Sequence, residues 1–193
     1  RAWLSRVTWR DCDLLSEHGI AKTSLELRAA SILEHRFTPL FFWFIGGPLA
    51  ALGVRTVYEL TQIWPVAQAR YRHFGLATHW LYTISHFFPS FLLSLAARFM
   101  ALFQPSKPKL QSLNRNPLFP TVLLSWLQSF SYCHRVSLGG PIQVQGIRIA
   151  RQRFDGRPAE LLLPRAQRWQ RQWQIFFIAC LVIALFALFI YRP

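Results

Sequence analysis

Two glutamates and two arginines offer most of the chemistry in this sequence. Glu26 and Glu34 stand eight residues apart, and on an unbroken helix that spacing turns both carboxylates to roughly the same side. Joined by Asp11 or Glu59, such a pair could hold a hard cation such as magnesium or serve as a carboxylate base. The plainer alternative makes both glutamates solvated partners of Lys22, Arg28 and Arg36. Arg70 and Arg72, in "RYRHFG", supply the opposite charge. One reading of them is an anion site for phosphate or carboxylate groups of a substrate. The other is an interfacial anchor, with Tyr71 and Phe74 at a membrane boundary. No carboxylate occurs between Glu59 and Asp155, so any magnesium-nucleotide site must draw on the two ends of the chain.

The remaining candidates carry less. His79 and His86 are seven residues apart in an apolar segment, a spacing that suits hydrogen bonding to another helix or ligation. Cys12, Cys133 and Cys180 lie far apart without a CxxC or CxxH neighbourhood, which favours neither zinc nor a disulfide framework. No GxSxG appears, and neither glycine pair is followed by the spaced Gly and Lys of a phosphate loop.

The elements that must position these residues are largely apolar. The 193-residue chain is 52% hydrophobic and 16% charged, yet carries a net charge of +14. Its Arg and Lys fall mainly between greasy runs, as in membrane proteins whose cations meet anionic headgroups, so membrane lipids are expected partners and nucleic acid is not. The fold class expected is all-α, a polytopic integral membrane protein with kinked or re-entrant segments and polar connecting loops. No signal peptide is expected after Arg1, and the chain reads as a portion of something longer.

Residues 13–36 read as an amphipathic helix with Ser16 as a plausible N-cap. Residues 37–54 form a kinked span or re-entrant segment broken at Gly46, Gly47 and Pro48. Residues 76–103 suit a membrane helix kinked at Pro89, and 118–132 a short membrane or interfacial helix. A basic polar segment, 133–172, contains a turn and a short strand-like piece. Residues 173–191, about 28 Å as a helix, suit a transmembrane span. Arg165, Arg168 and Arg171 before it, and only Arg192 after it, put residues 165–172 in the cytoplasm. Simple alternation would then leave "RYRHFG" outside, so re-entry of 37–54 is expected.

Read in order, "WRDCDLLSEHGIAKTSLE", "PLFFWFIGG", "RYRHFG", "NPLFP" and "SLGGP" resemble segments of the CobD/CbiB family, the adenosylcobinamide-phosphate synthases of cobalamin biosynthesis. The resemblance implies an inner-membrane protein that joins cobyric acid to an aminopropanol phosphate in an ATP-dependent, amide-forming step. It implies ATP and Mg2+ as cofactors and a corrinoid as substrate. Carried over by position, Glu26 and Glu34 would be catalytic, and Asp11 with Glu26 would hold metal. Arg70, Tyr71, Gly139 and Gly140 would bind substrate by the same match, joined by Arg72 from the anion-site reading of "RYRHFG". The chain departs from the family pattern at Ala30, Ser31, Thr61, Pro65, Val66, Tyr82, Thr83, His86, Phe91 and Thr121, several of which replace acidic residues. A divergent member is therefore implied. "HRFTPLFFWFIGG" is also similar to the AmpE branch, which would make the chain a non-catalytic signalling or scaffold protein.

Overall fold

The computed structural model describes residues 2, 4, 8, 10–12, 15–66, 69–102, 121–144, 146–159, 168, 169, 171–173, 175, 178, 179 and 182. Helix α1, Glu17–Ser31, starts where Ser16 caps it: the hydroxyl accepts the Gly19 amide at 3.2 Å, and Glu17 occupies the first turn near the positive end. Ala21, Leu25 and Ala29, at helical spacing, face the core. The helix then changes gauge, because Ile32–Phe37 form a π-helical segment. The amphipathic stretch expected over 13–36 is thus an α-helix from Glu17 followed by a π turn, with residues 13 and 14 outside the described residues.

Helix α2, Thr38–Ile63, is interrupted at one residue. Gly47 takes φ 71° and ψ −166°, a conformation reserved for glycine, and the proline that follows disfavours helical geometry at this position. The chain folds back there. The rings of His35 and Tyr58 meet edge to face at 4.8 Å, and Arg55 donates to His35 Nδ1. These partners lie nearly symmetrically about Gly46 and Gly47. The two halves, 38–46 and 48–63, are about 14 and 24 Å long, so neither alone matches a hydrocarbon core of roughly 30 Å.

A short 3-10 turn, Ala69–Tyr71, leads into α3, Arg72–Leu102, and α4 follows at Thr121–His134. Helix α3 is built inside out. Thr78, Tyr82, His86, Ser90, Ser94 and Ala97 are buried at intervals of three or four, while Trp80, Ile84, Phe87, Phe91, Leu95 and Phe99 are exposed. Small and polar residues turned inward and large apolar ones outward suit packing in lipid rather than in water. The runs Glu17–Ile63 and His73–Leu102 are long and apolar enough to cross a membrane; the first is folded back at Gly47.

Helix α4 joins the layers. Its indole Trp126 donates to the Ala29 carbonyl at 2.6 Å, and its Val122 carbonyl accepts from Ser90 at 2.7 Å. Leu25, Leu33, Leu93, Ala97, Trp126 and Phe130 share one core cluster. Trp173 is buried edge to face on Trp126 and donates to His134 Nε2 at 3.2 Å. The remainder of the span expected over 173–191 lies outside the described residues except at 175, 178, 179 and 182.

Among the described residues four short strands follow the helices: β1 (Leu138–Gly139), β2 (Ile142–Val144), β3 (Ile147–Ile149) and β4 (Arg153–Phe154). β1 pairs antiparallel with β4, Gly139 opposite Arg153, and β2 pairs antiparallel with β3, Gln143 opposite Arg148. The protein is therefore mostly helical rather than wholly so. The β-branched alternation of Ile142, Val144 and Ile149 buries one face of the small hairpin.

Candidate functional site

Glu26 projects from the middle of α1 into a cage of N–H donors. Its Oε1 accepts the Gly139 amide at 2.7 Å and Arg151 Nη2 at 2.7 Å. Its Oε2 accepts the same Arg151 nitrogen at 2.7 Å and a close ion pair from Arg10. Arg10 is held in turn by Thr23 Oγ1 at 3.1 Å, and Arg151 Nε donates to the Gly140 carbonyl at 3.2 Å. Burial lowers the Arg151 guanidinium below its ordinary value, an effect that the facing Glu26 carboxylate opposes.

The glycine pair makes this approach possible. Gly139 has φ 73°, and a Cβ there would lie 2.1 Å from the Gln152 carbonyl oxygen. No side chain fits. The Gly140 amide donates to the same carbonyl at 2.8 Å, so the loop presses its bare backbone against α1 on one side and against β4's approach on the other. Beside it opens a cleft of about 330 Å³ lined by Arg10, Asp11, Leu15, Pro141, Ile142, Gln143 and Arg148. Asp11 is fixed at its rim: its amide donates to the Gln143 carbonyl at 3.0 Å, and Oδ2 accepts the Gly146 amide at 2.8 Å.

Glu34 lies elsewhere on the same helical run, in the π turn. Tyr82 donates to its Oε1 at 2.6 Å, and the phenol ring stacks on His86 at 4.0 Å. His86 is fully buried, with Nδ1 facing the Tyr82 carbonyl at 3.1 Å. With exposures of 3% and 8%, Glu26 and Glu34 are not solvated, and their nearest partners are not Lys22, Arg28 and Arg36. Each has a different buried partner set.

The "RYRHFG" segment forms the tip between α2 and α3. Arg70 is exposed, its guanidinium 5.5 Å from the Tyr71 ring centroid. Phe74 meets the Trp64 ring at 6.0 Å, and Gly75 packs under the Trp64 carbonyl. The side chain of Arg72 lies outside the described residues. From Gly75 to Leu93, where α3 enters the core shared with Leu25 and Leu138, the helix rises about 27 Å. The structure thus brings Asp11, Glu26, Gly139 and Gly140 into one neighbourhood and leaves Arg70 and Tyr71 at the tip.

Sequence reasoning missed Arg10, Thr23 and Arg151. The available signal was a carboxylate at a mid-helix position in a chain rich in arginine, since a buried acid demands charged or N–H partners. Chemically, the cage positions a loop. Both oxygens of Glu26 are committed to donors, and among the described residues no three His, Cys, Asp or Glu side chains converge as a cation site would require. The described residues do not fit a magnesium ion.

Fold and site together define a mostly helical protein with, among the described residues, two helices long and apolar enough to cross a membrane, capped by a polar loop assembly around one buried carboxylate. The chain is similar to the cobalamin biosynthesis protein CobD of Listeria monocytogenes (serotype 4b, strain F2365), at 30% identity over 90 residues, 47% of this chain and 29% of the relative. It is also similar to the cobalamin biosynthesis protein CobD of Leptospira interrogans (serovar copenhageni), at 27% over 104 residues, 52% of this chain and 33% of the relative. The matched stretches span about a third of these relatives' length or less. No family model matches the chain, and no solved structure matches it.

Proposed function

We propose that this chain belongs to a divergent, membrane-embedded protein of cobalamin biosynthesis, related in role to CobD. One observation carries the reading. The stretches on which the resemblance rests are scattered between residues 10 and 140, yet Arg10, Asp11, Glu26, Gly139 and Gly140 meet around one buried carboxylate and one cleft. Such convergence is expected of a working site and not of chance matches. The lipid-facing pattern of α3 supports a bacterial inner-membrane location with lipids as partners. The fold-back at Gly47 supports re-entry of α2, which would put its two ends and the "RYRHFG" tip on the cytoplasmic side, where ATP is available.

By resemblance the reaction joins cobyric acid to an aminopropanol phosphate at the expense of ATP. Arg70, Tyr71 and Arg72 would meet anionic groups of the substrate, and the Gly139–Gly140 loop would frame it. Magnesium for the nucleotide would need carboxylates beyond those that the described residues bring together. A second reading, an AmpE-like non-catalytic membrane protein, is favoured by Tyr82, which occupies a position where the resembled family carries acid and which occupies Glu34 instead. Complementation separates the two. The full-length gene should restore cobalamin-dependent growth to a strain lacking its cobinamide-phosphate synthase, whereas a well-expressed protein that fails to do so favours the second reading.

A further inference from the structure

The charge around the glycine loop does not balance. Lys22 Nζ stands 3.3 Å from the point where a Gly140 Cβ would be, with Arg153 Cβ 4.0 Å from that point. Arg10, Arg151 and Arg153 all lie within electrostatic reach of Lys22, and Glu26 is the one carboxylate in the same reach. Glu26 is already spent on Arg10 and Arg151. The side chains of Lys22 and Arg153 have no hydrogen-bond or ion-pair partner among the described residues, and neither does that of Arg148 at the adjoining cleft. Five cations thus surround two carboxylates, Glu26 and Asp11.

Concentrating like charges against a buried loop is unfavourable unless an anion completes the set. Space for one lies in the cleft that opens beside Pro141, next to the bare Gly140 backbone, and the side chains of Arg148 and Arg153 are exposed toward solvent. We propose that Lys22 and Arg153 beside the Gly140 backbone, with Arg148 on the adjoining cleft, form a binding site for an oxyanion, the phosphate or carboxylate group of a small ligand. Arg10 and Arg151 are positioning residues here: Glu26 fixes them, and they fix the loop. The identity of the natural ligand rests on the CobD-like reading, but the presence of the site does not. A lysine and two arginines suit a group that is contacted from several sides, since the ammonium acts as a point charge and each guanidinium as a planar fork.

The test is titration calorimetry of the full chain in neutral detergent with inorganic pyrophosphate. Saturable one-site binding is expected, weakened at least tenfold by Lys22→Ala and by Arg153→Ala, and several-fold by Arg148→Ala. Lys22→Gln serves if Lys22→Ala does not fold. Arg55→Ala, on α2 where the guanidinium pairs with Glu59, should leave the affinity unchanged. Competition by added phosphatidylglycerol would make the bound group a lipid headgroup, and its absence a soluble ligand; either keeps the site. No saturable binding, or equal losses in the Lys22 and Arg55 variants, overturns it. Pyrophosphate binding without complementation would separate failure of the cobalamin reading from failure of the site.

Discussion

Tyr82 on α3 donates its phenolic hydrogen to Glu34 Oε1 in the π turn at 2.6 Å. This bond ties the folded-back run to the helix that follows it and leaves the buried acid partnered. Tyr82→Phe should therefore cost about 1–3 kcal/mol, the penalty for stranding a buried acceptor. Denaturation in detergent should show an earlier midpoint, whereas His79→Phe, on a half-buried side chain of the same helix, should move it less.

The Glu26 cage predicts a larger loss. Glu26→Gln would leave Arg151, whose side chain is 2% exposed, buried with its charge uncompensated. Such breaks cost about 3–5 kcal/mol, or roughly 6–20 °C in melting temperature for a chain of this size. The double variant Glu26→Gln with Arg151→Met should recover part of that loss. A double variant as unstable as the sum of the two singles would mean that the ion pair contributes little.

Acid should loosen the joint between α4 and the segment carrying Trp169 and Trp173. The His134 ring stacks on Trp169 at 4.4 Å, and burial pushes its pKa down to about 3. The unfolded chain, with an ordinary value of about 6.5, takes up a proton that the folded chain resists. The contribution is complete above about pH 6.5 and is lost as pH falls toward 3, by up to about 1.4 kcal/mol per unit. Thermal melts between pH 7 and 4.5 should show this slope, and His134→Gln should flatten it.

The proposed re-entry of α2 at Gly47 predicts that both its ends and the following tip share one side of the membrane. In a cysteine-free background, single cysteines at positions 36, 62 and 73 should all resist an impermeant thiol reagent in intact cells and all react after permeabilisation. Labelling of 36 and 62 from opposite sides would make α2 a through-span.

The helices were legible because they rest on local rules. Ser16 before Glu17 marks a start, and Gly47 before Pro48 marks a break, since no helical geometry suits that pair. The π turn at Ile32–Phe37 was not legible: its gauge follows from packing against α3 and α4, which a local pattern does not encode. Of the site, Glu26 and the Gly139–Gly140 pair were recognised individually. Their contact, across more than a hundred residues, and the arginines that complete it depend on tertiary placement. Charge counting gave the excess of cations but not where three of them would stand without partners.

The CobD-like role is tested most directly by following the product. Membranes containing the full-length protein would be supplied with cobyric acid, aminopropanol phosphate, ATP and magnesium, and corrinoids would be read by mass spectrometry. The account predicts an ATP-dependent amide adduct of the two substrates, strongly reduced in Glu26→Gln. Well-folded protein in membranes that forms no adduct, beside an active control synthase, would contradict it.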